Sequence, residues 1–152
     1  MTEINIKING KKVSKKVPDT TLLSDFLRNN LDLTGTHIGC DTSQCGSCMV
    51  MIDGKCIKSC SILAVQCNKK SIKTIESIGK ENNLSNVQKA FKENHGLQCG
   101  FCTPGFIMTA IECKKNNILT EEEIREFLDG NFCRCTGYQN IVKSIIFFLK
   151  MS

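Results

Sequence analysis

Residues 38–48 read IGCDTSQCGSC, so Cys40, Cys45 and Cys48 fall within nine positions of one loop. A loop this short offers no apolar core in which to hide three sulfurs. They must face one shared object and recruit a further ligand from elsewhere in the chain. The supply is large: eleven cysteines in 152 residues. Disulfides account for them poorly. The count is odd, and the N-terminal stretch MTEINIKING lacks the apolar run of a secretory signal, so the expectation is a reducing cytosol, where structural disulfides are rare. Metal binding is the favoured account.

The spacing narrows the metal. Cys40-x4-Cys45-x2-Cys48, followed by Cys60, is the plant-type [2Fe–2S] ligand pattern. Two irons need four thiolates. A tight loop wraps three of them, and the fourth is expected on the returning strand of a hairpin over 49–60. Gly39 and Gly46 are expected to let backbone N–H groups approach the sulfurs without a Cβ in the way. Tetrahedral zinc also takes four thiolates, but its ligands usually come as paired C-x2-C knuckles, from which this loop departs. A second set, Cys99-x2-Cys102 with Cys133-x-Cys135, sits in two turns that each lead a helix. Positive helix ends favour an anionic cluster there, although zinc stays a stronger rival for this pattern than for the first. Cys56, Cys67 and Cys113 have no cysteine at ligand spacing and read as buried, inert thiols. His37 and His95 are needed to complete neither set.

The pattern of apolar residues divides the chain at about residue 76. Before it, Ile4, Ile6 and Ile8 alternate, and Asn9-Gly10 and Asp53-Gly54 mark two-residue hairpin turns. Pro18-Asp19-Thr20 opens a short helix carrying Leu22, Leu23, Phe26 and Leu27, and residues 71–75 supply a last strand. A small sheet gripping one helix follows. After residue 84 the period is helical: Ser85 caps one helix, Pro104 begins a second, Thr120 and Glu123 form a capping box for a third, and a fourth runs over 140–150. Residues 76–84 read as the linker, giving domains at 1–76 and 84–152.

The net charge of +5 raises the question of nucleic acid, but the lysines are scattered pairs, and with no Trp and one Tyr there is little for bases to stack on. No nucleic-acid partner is expected. The most apolar terminal stretch, residues 145–149, is far too short to span a bilayer. No nucleophile–base pair, phosphate-cradling glycine loop or set of metal-spaced carboxylates is present, and Thr103, Thr136 and Tyr138 read as turn and cap formers. No catalytic residue is assigned. Two one-electron centres without substrate machinery describe a relay. A free-standing ferredoxin and a zinc-stabilised interaction module are the rival readings, and the first leaves the helical half unexplained.

The stretches GCDTSQCGSC, KSCSILAVQ, HGLQCGFCTPGFIM and GNFCRCTGYQNIVKSI together make the chain closely similar to the iron–sulfur subunit of the molybdenum hydroxylases, the xanthine dehydrogenase and aldehyde oxidoreductase family. The resemblance covers nearly the whole chain. It implies an α+β protein: an N-terminal β-grasp, ferredoxin-like [2Fe–2S] domain followed by an all-α four-helix [2Fe–2S] domain. It implies that Cys40, Cys45, Cys48 and Cys60 hold the cluster on the flavin side. Cys99, Cys102, Cys133 and Cys135 would hold the cluster beside the molybdopterin, with Gln98 and Cys135 contacting the pterin. The partners implied are a large subunit with molybdopterin cytosine dinucleotide and a medium subunit with FAD, in a dimer of heterotrimers. The complex would be cytoplasmic or peripheral at the inner membrane face. Many members have a first loop of the GCGEGxCGAC kind. Here Asp41-Thr42-Ser43 replaces it, and with residues 36–38 and 138–143 this looks most like the small chain of aerobic carbon monoxide dehydrogenase. That resemblance implies oxidation of CO with water to CO2, two protons and two electrons. Aldehyde, xanthine and N-heterocycle hydroxylases remain the alternatives.

Overall fold

The computed structural model describes residues 1–151; Ser152, the last residue of the second expected domain, lies outside them. Five strands form one mixed sheet in the order β2-β1-β5-β3-β4, with β1 (Thr2–Ile8), β2 (Lys11–Val17), β3 (Met49–Ile52), β4 (Lys55–Lys58) and β5 (Ser71–Lys73). β1 pairs antiparallel with β2 and parallel with β5, while β3 pairs antiparallel with both β4 and β5. The two hairpins turn where expected. Asn9 and Gly10 have φ of 49° and 85°, and Asp53 and Gly54 have 49° and 82°, the positive pair that a type I′ turn requires.

The alternation along β1 buries Ile4, Ile6 and Ile8 on one face, where they meet Val17, Val50, Ile52 and Ile72. Leu23, Phe26 and Leu27 close this core from the other side, each fully buried and each contributing about 1.5–3 kcal/mol of transfer free energy. The element carrying them differs from a plain helix. Its α-helical part, α1 (Leu23–Asp25), is a single turn that widens into a π-helical turn over Phe26–Asn30. Leu22 does not join the helical face: it caps α1 and forms a bridge with Leu63.

Four further helices form the second layer: α2 (Asn86–Glu93), α3 (Thr103–Lys115), α4 (Glu121–Phe127) and α5 (Gln139–Lys150). Ser85 and Gln88 box the start of α2, Pro104 occupies the first turn of α3, and Thr120 with Glu123 boxes α4. Their core comprises Val87, Phe91, Phe106, Ile107, Ile124, Ile141 and Ile145. Ile75 and Ile78, flanking the start of the expected linker, pack against this helical core. Among the described residues no helix is long and apolar enough to cross a membrane.

The helical layer lies directly on the sheet. Helix α3 packs across β3 and β4. Cys56 on β4 donates its thiol to the Met108 carbonyl at 3.1 Å, and Lys115 donates to the Gly54 carbonyl at 2.8 Å.

Candidate metal centres

The first loop runs from Ile38 to the start of β3 and is pinned from several sides. Lys58 on β4 donates its ammonium to the Ser43 and Gln44 carbonyls at 2.8 and 3.1 Å, and the Ser59 hydroxyl donates to the Cys48 carbonyl at 2.7 Å. Cys60 lies not on the returning strand but just beyond it, in the 3₁₀ turn Ser59–Ser61. That turn swings its sulfur to 3.4 Å from the Cys48 sulfur. Cys40 and Cys45 form the facing pair, and the Cys45 N–H donates to the Cys40 sulfur at 3.4 Å.

Electrostatics separates these thiols. The N–H groups of Cys45 and Thr42, outweighing slight burial, pull the Cys40 thiol down to about 6, so it is anionic at neutral pH. Burial pushes Cys48 up to about 11, with the neighbouring Cys60 adding to the rise. A thiol held that high needs a cation beside it to ionise.

The second set forms in the same two-by-two manner. Cys99 and Cys102 lie in the turn before α3, Cys102 being its N-cap residue, while Cys133 and Cys135 lie in the turn before α5. Across the gap Cys102 faces Cys133, and Cys99 faces Cys135. Burial, then the Cys133 thiol, raises Cys102 to about 12. Burial acts on Cys133 as well, but the Thr136 hydroxyl at 3.1 Å and the Thr136 N–H at 3.4 Å both donate to its sulfur and bring it below the ordinary thiol value. Cys135 is raised by its hydrogen bond to Cys99.

This donor chemistry fits two-iron clusters. Two thiolates on one tetrahedral metal at about 2.3 Å each lie roughly 3.7 Å apart, close to the 3.4 Å between Cys48 and Cys60. Each set offers two facing pairs of thiols. Four cysteines bound to two irons need the pairwise arrangement seen in both sets.

Cys40 and Cys45 of the first set and all four cysteines of the second line one cleft of about 340 Å³, together with Phe101 and Phe132. Three connections cross it. The Phe132 N–H donates to the Cys45 carbonyl at 2.9 Å. His37 stacks on Phe101 with ring centroids 4.6 Å apart, and its Nδ1 lies 2.6 Å from the Phe101 carbonyl. The amide of Asn131 donates to the Gly46 carbonyl at 3.4 Å.

Gly46 serves a different purpose from the one expected. Its φ is +71°, and a Cβ there would stand 2.3 Å from the Gly130 carbonyl. The close approach it permits is to the helical layer, not to a sulfur. Gly39 is nearer the expectation, since a Cβ there would lie 3.2 Å from the Cys45 sulfur. Gln98 is exposed beside Cys99, and Cys135 is exposed too, so this end of the second set faces outward. Cys67 and Cys113 are fully buried, and burial raises them to about 11 and about 12; Cys56 is raised further by the same cause. Sequence reasoning set His37 aside and passed over Thr136 as a sulfur donor and Asn131 altogether. A threonine three residues after Cys133 was the one available signal, because such spacing allows a hydroxyl to turn back on the sulfur.

Residues 6–72 match the 2Fe-2S iron-sulfur cluster binding domain, and residues 74–146 match the [2Fe-2S] binding domain. Caffeine dehydrogenase subunit gamma of Pseudomonas sp. (strain CBB1) is 48% identical over 146 residues, covering 93% of this chain and 87% of that one. The xanthine dehydrogenase iron-sulfur-binding subunit of Escherichia coli O157:H7 is 43% identical over 146 residues, covering 94% and 91%. Among solved structures, quinoline 2-oxidoreductase from Pseudomonas putida 86 superposes with a TM-score of 0.90 at 42% identity, over 95% of this chain and 90% of that chain.

Proposed function

The chain belongs to the iron–sulfur subunits of the xanthine dehydrogenase-type molybdenum hydroxylases, and from that premise we propose that it carries electrons from a molybdopterin centre on a large subunit to FAD on a medium subunit. The observation that carries this reading is the shared cleft, where Cys40 and Cys45 of the first set meet the four cysteines of the second between sheet and helices. Cys40, Cys45, Cys48 and Cys60 hold one cluster, and Cys99, Cys102, Cys133 and Cys135 hold the other. Each cluster, when bound, takes up and releases one electron at a time.

The residues of this chain set the conditions for that exchange. The N–H groups around Cys40 and the Thr136 hydroxyl at Cys133 stabilise negative charge on sulfur, which is a lever on reduction potential. The exposed end at Gln98 and Cys135 faces the pterin, and the first set serves the flavin side. In this reading residues 1–76 form the ferredoxin-type domain and residues 84–152 the helical one, within a cytoplasmic dimer of heterotrimers.

For the holoenzyme's substrate we place a nitrogen heterocycle ahead of carbon monoxide. Caffeine, xanthine and quinoline, the compounds in the names of the three relatives above, are all nitrogen heterocycles, while further relatives at 35–40% identity are named for aldehydes. The loop residues that suggested carbon monoxide are poorly placed to report a substrate. Asp41 and Thr42 are exposed on the loop of the first set, and Ser43 lies against Cys60, so they surround a relay site and not a reacting molecule. Co-expression with the neighbouring large and medium subunits, followed by dye reduction with quinoline, xanthine and CO, tests this. Reduction by a heterocycle is the expected result, and reduction by CO alone would overturn the substrate choice while leaving the relay intact.

A further inference from the structure

Resting on the relay reading above, we propose that Asn131 is a positioning residue that fixes the spacing and orientation of the two cluster sites. Its side chain is 3% exposed and sits in the seam between sheet and helices. On one side its amide donates to the Gly46 carbonyl, between Cys45 and Cys48. On the other its Oδ1 lies 3.0 Å from the Thr109 hydroxyl of α3, which is also 3.0 Å from the Gly105 carbonyl. Its own N–H donates to the Leu128 carbonyl at 2.8 Å, which holds it to the end of α4. One side chain therefore joins the first loop, α3 and the turn leading to Cys133.

The backbones that Asn131 joins are closely packed. A Cβ on Gly105 would stand 2.1 Å from the Gly46 carbonyl, and the Phe132 N–H is already committed to the Cys45 carbonyl. The Gly46 carbonyl accepts the Met49 N–H at 3.2 Å from its own loop, and the Asn131 amide adds a second donor from across the seam. Electron transfer between fixed centres depends steeply on their separation. A residue that sets the seam therefore acts on the relay without touching a sulfur. A solely structural Asn131 would affect unfolding and cluster loading but leave the interaction between loaded clusters unchanged.

The test uses the assembled complex, fully reduced, and reads the magnetic interaction between the two cluster spins by EPR together with the rate of electron exchange between them. Asn131→Ala is expected to keep both signals while changing their mutual splitting and slowing exchange at least threefold. Thr109→Val, which leaves Asn131 in place but removes its hydroxyl partner, should shift both readings in the same direction, and Thr109→Ser should restore them. Thr109→Val also serves where Asn131→Ala fails to load iron. Both signals present with splitting and rate as in the wild type, in Asn131→Ala or in a loaded Thr109→Val protein, would overturn the proposal. A wild-type complex without two signals would instead overturn the relay reading on which it rests.

Discussion

Cys45 presents its sulfur to the first set and its carbonyl to the Phe132 N–H at 2.9 Å, so one residue belongs to both the proposed first metal centre and the seam. Replacing it by Ser should remove one of two EPR signals from the reduced protein, and Cys102→Ser should remove the other. Loss of both signals from either change, or of neither, would show the ligand grouping to be wrong. Gly46 makes a second test at this scale. Gly46→Ala places a side chain at φ +71° and 2.3 Å from the Gly130 carbonyl, whereas Gly10→Ala meets φ +85° with nothing within 4 Å. The left-handed conformation alone costs about 1–2 kcal/mol in each. Urea unfolding should therefore show Gly46→Ala clearly less stable than Gly10→Ala, and equal losses would mean that the seam relaxes freely. The two groups of cysteines could be read because their spacing is a local property of the chain, and the structure brings each group together. Asn131 could not, because its partners Gly46 and Thr109 lie 85 and 22 residues away, and nothing in its own neighbourhood records them.

At the scale of elements, capping chemistry was read correctly wherever the signal was local. Asn9-Gly10, Asp53-Gly54, Ser85, Pro104 and Thr120 all sit at the turns and helix starts they were assigned. The element after Pro18 was harder. Its apolar residues fit a helical face, yet packing draws Leu22 toward Leu63 and widens the turn after α1 into a π-helix, a tertiary outcome that local propensity does not encode. Helix α4 offers a quantitative check. Thr120 accepts the Glu123 N–H at 3.2 Å, and the Glu123 carboxylate accepts the Thr120 N–H at 3.0 Å. Thr120→Ala should lower stability by about 1 kcal/mol in a denaturant titration. The N–H of Thr120, then its hydroxyl and the Leu119 N–H, hold the Glu123 carboxyl below its ordinary value. Its contribution is therefore full above the unfolded carboxyl pKa of about 4.3 and is lost as pH falls through the lower folded value. Glu123→Gln should flatten that part of the stability–pH curve, and an unchanged slope would remove Glu123 from the acid response.

For the molecule as a whole, the order of sheet and then helices followed from the change in apolar period near residue 76, and the way the two layers meet did not. Helix α3 meets β3 and β4, and a thiol and a lysine there reach backbone carbonyls of the facing layer, contacts that leave no periodic pattern in the sequence. Bound as proposed, the clusters would add a long-range clamp to this arrangement. The second would join residue 99 to residue 135, and a cross-link over a loop of that length is worth about 3–4 kcal/mol on the chain-entropy scale. Chelating the iron under reducing conditions should accordingly lower Tm by about 10 °C, with hydrogen exchange increasing most in α3 and α5. Equal exchange in the iron-loaded and stripped proteins would mean that the fold does not depend on the clamp.

The seam where Gly46, Gly105 and Gly130 meet is main chain against main chain. A contact made this closely by main chain has no modular handle, because its fit depends on both backbones at once. Anyone grafting one half onto another redox protein would have to carry the opposing surface with it, so the pair of centres is portable only as a unit.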